Sequence, residues 1–334
     1  MRGERGGALL AVLWLAAALS AIALSVAVTV RGEIERTSTA LEGVKAYYLA
    51  EGAVDRAILY ILWGPESRRQ DGSRRWVTAS PVIPLRFPSG EAVVEIIPES
   101  TKININEAQP QLIERLLEVL GVPPAEALTL TQAIIDWRTG NPAAAGPMDE
   151  YYLNQTPSFR ARHASLEEVE ELLLVRGMML PLFYGRYERN PEGKLFPVSG
   201  LRDCVTVYPV SGSGMDINTV APEVMAAIGV PAQTIDAIVA QRRLRPFTQE
   251  TLNAIRPALG PGGGRIQLGG DTFFTLRATA RMYQPDGRLS DLRRTVSATV
   301  RYNNPKLYPD NPYTILRWRE TDPPARLLFE AWTR

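Results

Sequence analysis

GALLAVLWLAAALSAIALSVAVTV, residues Gly7 to Val30, contains no charged side chain. About 20 apolar residues, each rising ~1.5 Å, cross the hydrocarbon core of a bilayer, so residues 7–30 are long enough to span a membrane once. A cleaved secretory signal is the competing reading. Its apolar core is shorter, and here no break follows the run. No proline occurs between Ala8 and Gly64, and Ile34, Leu41, Val44 and Tyr48 recur at helical spacing beyond the apolar stretch. The pattern predicts one long helix over 7–64, half in lipid and half outside it. It weakens at Gly43 and Gly52 and stops at Gly64-Pro65.

Outward from this helix, the 334-residue chain has a net charge of +1 and 22% charged residues, with no bias toward a polyanion. A single cysteine, Cys204, leaves no internal disulfide framework. It reads as a small buried residue beside Val205-Thr206-Val207 rather than a nucleophile. The lone His163, in the polar stretch Arg160-Ala161-Arg162-His163, reads as a surface residue, and without a second ligand a zinc site is not expected.

Residues 92–97 (AVVEII) read as a strand. Far downstream, Phe274, Leu276, Ala278, Ala280 and Met282 alternate with polar residues, as do Val296, Ala298, Val300 and Tyr302. Asp286-Gly287 lies between the two runs as a hairpin signal. One face is apolar and one polar, which predicts an antiparallel sheet covered on one side only, by the upper half of the N-terminal helix. From Asn303 onward the chain reads as mostly irregular.

The middle of the chain is helical and carries an internal near-repeat. Ile103-Asn104-Ile105-Asn106-Glu107-Ala108-Gln109-Pro110 is echoed by Met215-Asp216-Ile217-Asn218-Thr219-Val220-Ala221-Pro222. Each copy runs into an apolar helix, a Gly-Val-Pro and a second helix, a helix-hairpin-helix pattern. Asn106 and Asn218 stand where N-caps belong, with Pro110 and Pro222 in the first turns. The fold class is therefore α+β, with an all-α module inserted over 101–265, a short strand near 204–209, and a β-domain formed by 65–100 and 266–334.

Helix-hairpin-helix units often hold DNA backbone, but positive charge is missing here. Thr101 to Pro123 has two basic and three acidic residues, and Met215 to Arg245 has three of each. Prolines at 123 and 124 also remove hairpin N–H donors. No nucleophile–base or phosphate-loop arrangement supports an enzyme; Gly260-Pro261-Gly262-Gly263-Gly264 lacks the Lys-Ser/Thr of a phosphate loop and reads as a flexible loop. Asp136, Asp149 and Glu150 flank a small-residue loop, and carboxylates gathered there are candidates for calcium, against the plainer reading of surface charge.

Several blocks together resemble the K-type minor pseudopilin of type II secretion systems, the general secretion pathway protein K family. They are Arg5 to Trp14 (RGGALLAVLW), Lys102 to Asn106, Ile134 to Arg138 (IIDWR) and Glu171 to Met178. Val205 to Tyr208 followed by Asp216 to Thr219 completes the order, and the resemblance runs from residue 5 to about 302. It implies a type IV pilin-like fold, a long N-terminal helix on an antiparallel sheet with a large inserted helical domain. It also implies that residues 1–6 are a leader removed by a prepilin peptidase between Gly6 and Gly7, with Gly7-Ala8 as the alternative. The implied setting is the inner membrane, with most of the chain in the periplasm. The implied partners are I- and J-type minor pseudopilins and the inner-membrane secretion platform.

Pilin-like subunits usually carry a glutamate at the fifth mature position, thought to neutralise a neighbour's terminal amine where an unpaired charge is costly. Here that position is Ala11, and no acid lies between Glu4 and Glu33. A subunit that caps the filament would not need the carboxylate. The family also follows its Asp-Trp block with acids that can bind calcium, whereas this chain reads Arg138-Thr139-Gly140-Asn141-Pro142, which weakens the calcium expectation. Two other readings share parts of the pattern: a tip subunit of a type IV pilus, and a membrane-anchored DNA-binding protein.

Overall fold

The computed structural model describes residues 4–64, 81–140, 148–209, 214–269, 272–303 and 310–320, with Arg68, Gly72 and Tyr308. Helix α1 runs without interruption from Glu4 to Trp63, through both Gly43 and Gly52. Gly64, with φ +72°, ends it by donating its N–H to the carbonyls of Tyr60 and Ile61. Its apolar part has a mean hydropathy of 2.4 and no buried residue, while Ala46, Ala50, Ala53, Val54, Ala57 and Ile58 are buried. That spacing follows one helical face, and its small side chains let the helix lie close to the sheet. At Gly43 an added Cβ would stand 2.9 Å from Nη2 of Arg294. Ala53→Leu, which forces a larger side chain into this contact, is expected to cost ~1–3 kcal/mol in urea unfolding with helix content retained.

After α1 come β1 (Val82–Phe87) and β2 (Gly90–Pro98), then a 3₁₀ turn at Glu99–Thr101 and β3 (Ile103–Asn104). Helices α2 (Pro110–Val119), α3 (Pro124–Arg138), α4 (Asp149–Leu153) and α5 (Leu180–Tyr184) follow, with a 3₁₀ segment at Val169–Leu174. Next are β4 (Arg186–Arg189), β5 (Leu195–Val198), α6 (Leu201–Cys204), β6 (Val205–Thr206) and β7 (Met215–Asp216). Then come α7 (Pro222–Ala227), α8 (Ala232–Leu244), α9 (Gln249–Ile255), a 3₁₀ segment at Arg256–Arg265 and β8 (Ile266–Gln267). The chain closes with β9 (Phe273–Met282), β10 (Arg294–Tyr302) and β11 (Tyr313–Arg319).

Among the described residues the middle segment is not all-α: β3 pairs with β6, β4 with β5, and β7 with β8. Because β8 pairs with β7, residues 266–267 belong to the middle segment and the main sheet resumes at β9. The 3₁₀ segment also replaces the expected flexible glycine loop. Gly262 and Gly263 are buried, and a Cβ on Gly262 would stand 2.8 Å from Val230.

The main sheet is antiparallel, in the order β1-β2-β9-β10-β11. Gly287, with φ +82°, lies in the turn joining β9 to β10, as the Asp286-Gly287 signal predicts. Val94, Ile96, Leu276, Ala278, Val296 and Ala298 form the face that packs on α1. The opposite face carries Glu95, Thr279, Thr295, Ser297 and Thr299, and these are buried as well. The expectation of a sheet covered on one side is therefore overturned, because the middle segment lies over the polar face. Hydroxyl pairs satisfy part of that face, with Thr275 to Thr299 at 3.0 Å and Thr279 to Thr295 at 2.9 Å. The region after Asn303 also holds a strand, β11, where irregular chain was expected. A second core, including Leu117, Ile134, Trp137, Leu172, Phe183 and Met225, lies inside the middle segment.

Candidate functional site

The sequence places function in the N-terminal helix, the paired hairpins and the Asp136–Asp149 loop. Gly6 lies in the first turns of α1, as do the exposed Gly7 and Ala11. Beyond the apolar run, Ile34, Leu41, Val44 and Tyr48 are each more than half exposed. This stripe is therefore not the face that covers the sheet. The alanine-rich face does that, and the larger side chains point elsewhere.

The near-repeat folds as two equivalent units. In the first, the N–H of Asn106 donates to Oδ1 of Asn104 at 3.0 Å. In the second, the N–H of Asn218 donates to Oδ1 of Asp216 at 3.0 Å. Neither Asn106 nor Asn218 is an N-cap, since Gln109 and Ala221 hold those positions. Each asparagine braces a distant strand of chain with a paired bond instead. Asn106 donates to the carbonyl of Leu166 at 2.9 Å and accepts its N–H at 2.8 Å. Asn218 does the same with Phe247, at 3.3 and 2.7 Å. An arginine from the second helix of each unit bonds back to the turn that precedes the first: Arg138 to the carbonyls of Ile105 and Ala108, Arg242 to that of Val220. Burial pulls the Arg242 guanidinium down to about 10 against the opposing pull of Asp216. Both arginines are spent on the fold, which leaves the hairpins still poorer in charge for phosphate.

The candidate calcium residues come partly together. Asp136 lies in the last turn of α3 and Asp149 begins α4, and between them lies His163, held at φ +46°. His163 and Asp149 are both buried, so the expectation of a surface histidine is corrected. Its Nε2 stands 2.9 Å from Oδ1 of Asp149 and its Nδ1 is 3.1 Å from the carbonyl oxygen of Asp136. Burial lowers the His163 pKa, but its bonds to Asp149 and Asp136 outweigh that and hold it above its ordinary value. The carboxyl of Asp136 is pushed up by burial. Glu150 is exposed.

Calcium takes six to eight oxygens at ~2.3–2.6 Å. Here the Asp149 carboxylate and the Asp136 carbonyl are turned onto a ring. No group of three or more His, Cys, Asp or Glu able to hold a metal ion occurs among the described residues. Among the described residues, the groups expected to hold the ion are engaged by His163 instead. Cys204 is buried, as expected of a packing residue.

The joint between sheet and middle segment is a feature that sequence patterns did not reveal. Glu99, buried, accepts from Lys102 Nζ at 2.9 Å and from the hydroxyls of Thr275 and Thr206. On β11, Arg317 pairs with Glu168, and Arg319 with Glu170 at 2.6 Å. Arg202 reaches the same Glu170 at 3.5 Å. These pairs border a cavity of about 910 Å³ whose walls include Glu95, Arg277, Arg202, Tyr208 and Arg242.

Residues 92–184, from β2 to the end of α5, match the family model described as type II secretion system (T2SS), protein K. The matched segment contains the Asn106 unit, the two aspartates and His163; the Asn218 unit lies outside it. The chain is similar to the type II secretion system protein K of Klebsiella pneumoniae, 29% identical over 201 residues, covering 54% of this chain and 60% of that protein. It is also similar to the type II secretion system protein K of Pseudomonas aeruginosa PAO1, 27% identical over 195 residues, covering 52% and 58%. The chain thus spans about three-fifths of the length of these protein K relatives. A crystal structure of the GspK-GspI-GspJ complex from the enterotoxigenic Escherichia coli type 2 secretion system contains a similar fold. Its TM-score is 0.50 at 16% identity, covering 87% of this chain and 99% of that one. That likeness is one of fold: a long N-terminal helix with an antiparallel sheet.

Proposed function

We propose that this chain is a K-type minor pseudopilin, a structural and non-enzymatic subunit. In this reading it starts and caps the pseudopilus of a type II secretion system together with I- and J-type minor pseudopilins. The observation that carries the reading is a protein K segment on the same chain as a membrane-length helix with no acid between Glu4 and Glu33. The fold is pilin-like, and the segment between β2 and β9 is its insertion. A prepilin peptidase removes residues 1–6 at Gly6-Gly7, residues 7–30 stay in the inner membrane, and the remainder lies in the periplasm.

Capping rests on Ala11 at the fifth mature position. A subunit that receives none above it has no buried amine to neutralise. The exposed stripe of Ile34, Leu41, Val44 and Tyr48 is then free for partner helices, while the alanine face serves the chain's own sheet.

The test is co-expression of the full chain with I- and J-type pseudopilins and the peptidase, then purification in detergent. A ternary complex is expected, with K beginning at Gly7 by mass spectrometry, and Ala11→Glu should bring no gain in secretion. K recovered alone with an intact Met1, or found along the filament shaft, would refute the assignment.

A further inference from the structure

The sheet and the middle segment do not close on each other everywhere. Between the polar face of β9 and β10 and the facing side of the middle segment lies the cavity of about 910 Å³. That volume falls within the ~300–1,000 Å³ of pockets that hold drug-sized organic molecules. The walls are of two kinds. Ile97, Val169, Val207 and Val239 supply apolar surface, while seven basic and five acidic side chains supply charge among the described residues.

Over most of the walls these charges are matched. Lys102 pairs with Glu99 at 2.9 Å and Arg277 with Glu95 at 3.4 Å, and Arg243 is offset in number by Glu223. At the β11 end they are not. Glu170 meets Arg319 at 2.6 Å, Arg202 at 3.5 Å and Arg317 at 3.9 Å, and Arg317 has Glu168 as its second partner. Asp203, beside Arg202 in α6, accepts the N–H of Gly200. Three guanidiniums thus divide two carboxylates, which cannot neutralise them all. Each guanidinium carries five N–H donors in a planar fork that fits the edge of a carboxylate or phosphate. The side chains of Arg317 and Arg319 are 26% and 25% exposed, so a solute can reach them. Tyr208, stacked on Phe273 at 5.8 Å and hydrogen-bonded to Thr299, adds a hydroxyl to the same walls.

We infer that this cavity is a binding site for a small organic anion, whose carboxylate or phosphate meets Arg317 and Arg319 while an apolar body lies against Val169, Val207 and Val239. A ligand held there touches the sheet and the middle segment at once, so its binding strengthens the joint between them.

The experiment is titration calorimetry on the detergent-solubilised full chain, with thermal midpoints measured alongside. Phenylacetate and phenyl phosphate present the same apolar ring with the two candidate head groups, and phenylacetamide presents it without charge. Both anions are expected to bind one per chain and to raise the midpoint, with phenylacetamide at least about tenfold weaker. The tighter of the two anions identifies the head group, and either order supports the site. The Arg317→Lys, Arg319→Lys double variant keeps both positive charges and removes both forks. It should keep the ligand-free midpoint and bind each anion about tenfold more weakly. Val239→Phe, which fills the apolar wall, should weaken both anions through a change unrelated to the ion pairs. No binding of either anion at millimolar concentration, phenylacetamide binding as tightly as the anions, or both variants binding like wild type would each overturn the inference.

Discussion

Glu99→Ala is expected to destabilise the folded chain by ~3–5 kcal/mol, the cost of leaving a buried partner charge without its counter-ion. The stranded charge would be Lys102, whose ammonium stands 2.9 Å from the carboxylate. The hydroxyls of Thr206 and Thr275 lose an acceptor in the same step. Those groups come from β6, β9 and the turn after β2, so the loss falls on the joint between sheet and middle segment. The pH dependence has a definite sign. Burial alone would raise the Glu99 carboxyl, but Lys102 and the two hydroxyls outweigh it, and the net pKa lies below the ordinary 4.5. A folded carboxyl that ionises more readily than the unfolded one contributes stability above that ordinary value. The contribution is lost as pH falls through the lowered folded value. Glu99→Gln, which keeps an acceptor and removes the charge, should therefore differ from wild type at neutral pH and converge on it in acid. Urea unfolding across this range, followed by circular dichroism, measures both. A Glu99→Ala cost below ~1 kcal/mol would mean that the joint is held by packing alone.

The parts of this fold that were legible in the sequence are those with a long, unbroken pattern. Helix α1 is announced by an uncharged run with no proline. Strands β9 and β10 are announced by strict alternation around Asp286-Gly287, because one face meets α1 and the other meets polar groups. Strand β1 was missed because it contains Pro84. It is the edge strand of the sheet, where a missing N–H is tolerated. Strand β11 was missed because a bulge opposite Thr299/Val300 takes Leu316 out of the pairing, so Ile315 and Arg317 oppose adjacent residues of β10. A period of two cannot be followed across such a break.

At the candidate sites, legibility ended where contacts became long-range. His163 lies in a polar stretch, and nothing local indicates that Asp149 and the carbonyl of Asp136 will enclose it. Glu99 meets Thr275 from a strand 176 residues away. The polar face of β9 and β10 looked solvent-bound because threonine, serine and arginine usually are. Hydroxyl pairs and the Glu95–Arg277 contact at 3.4 Å let the same residues be buried under a second layer. The arginines of β11 belong to that arrangement, reaching across to Glu168 and Glu170.

Asn218→Ala is expected to cost ~2–4 kcal/mol, since it leaves both the N–H and the carbonyl of Phe247 without the partner that held them. The position is buried, so water cannot readily replace the amide. Local sequence rules cast this asparagine as a helix cap, and a cap loss would be worth only ~1 kcal/mol. The measured cost therefore separates the two roles. Asn106→Ala removes the equivalent pair with Leu166, but that site is only partly buried and a smaller loss is expected. Asn218→Asp supplies a decisive comparison: it keeps an acceptor for the Phe247 N–H and turns the amide donor into a second acceptor facing a carbonyl. It should recover little of the lost stability, whereas a true cap would accept aspartate as readily as asparagine. Because α2 of one unit packs against α7 of the other, the Asn106→Ala, Asn218→Ala double variant should lose more cooperativity in urea than either single change. An Asn218→Asp protein as stable as wild type would return the residue to the capping role.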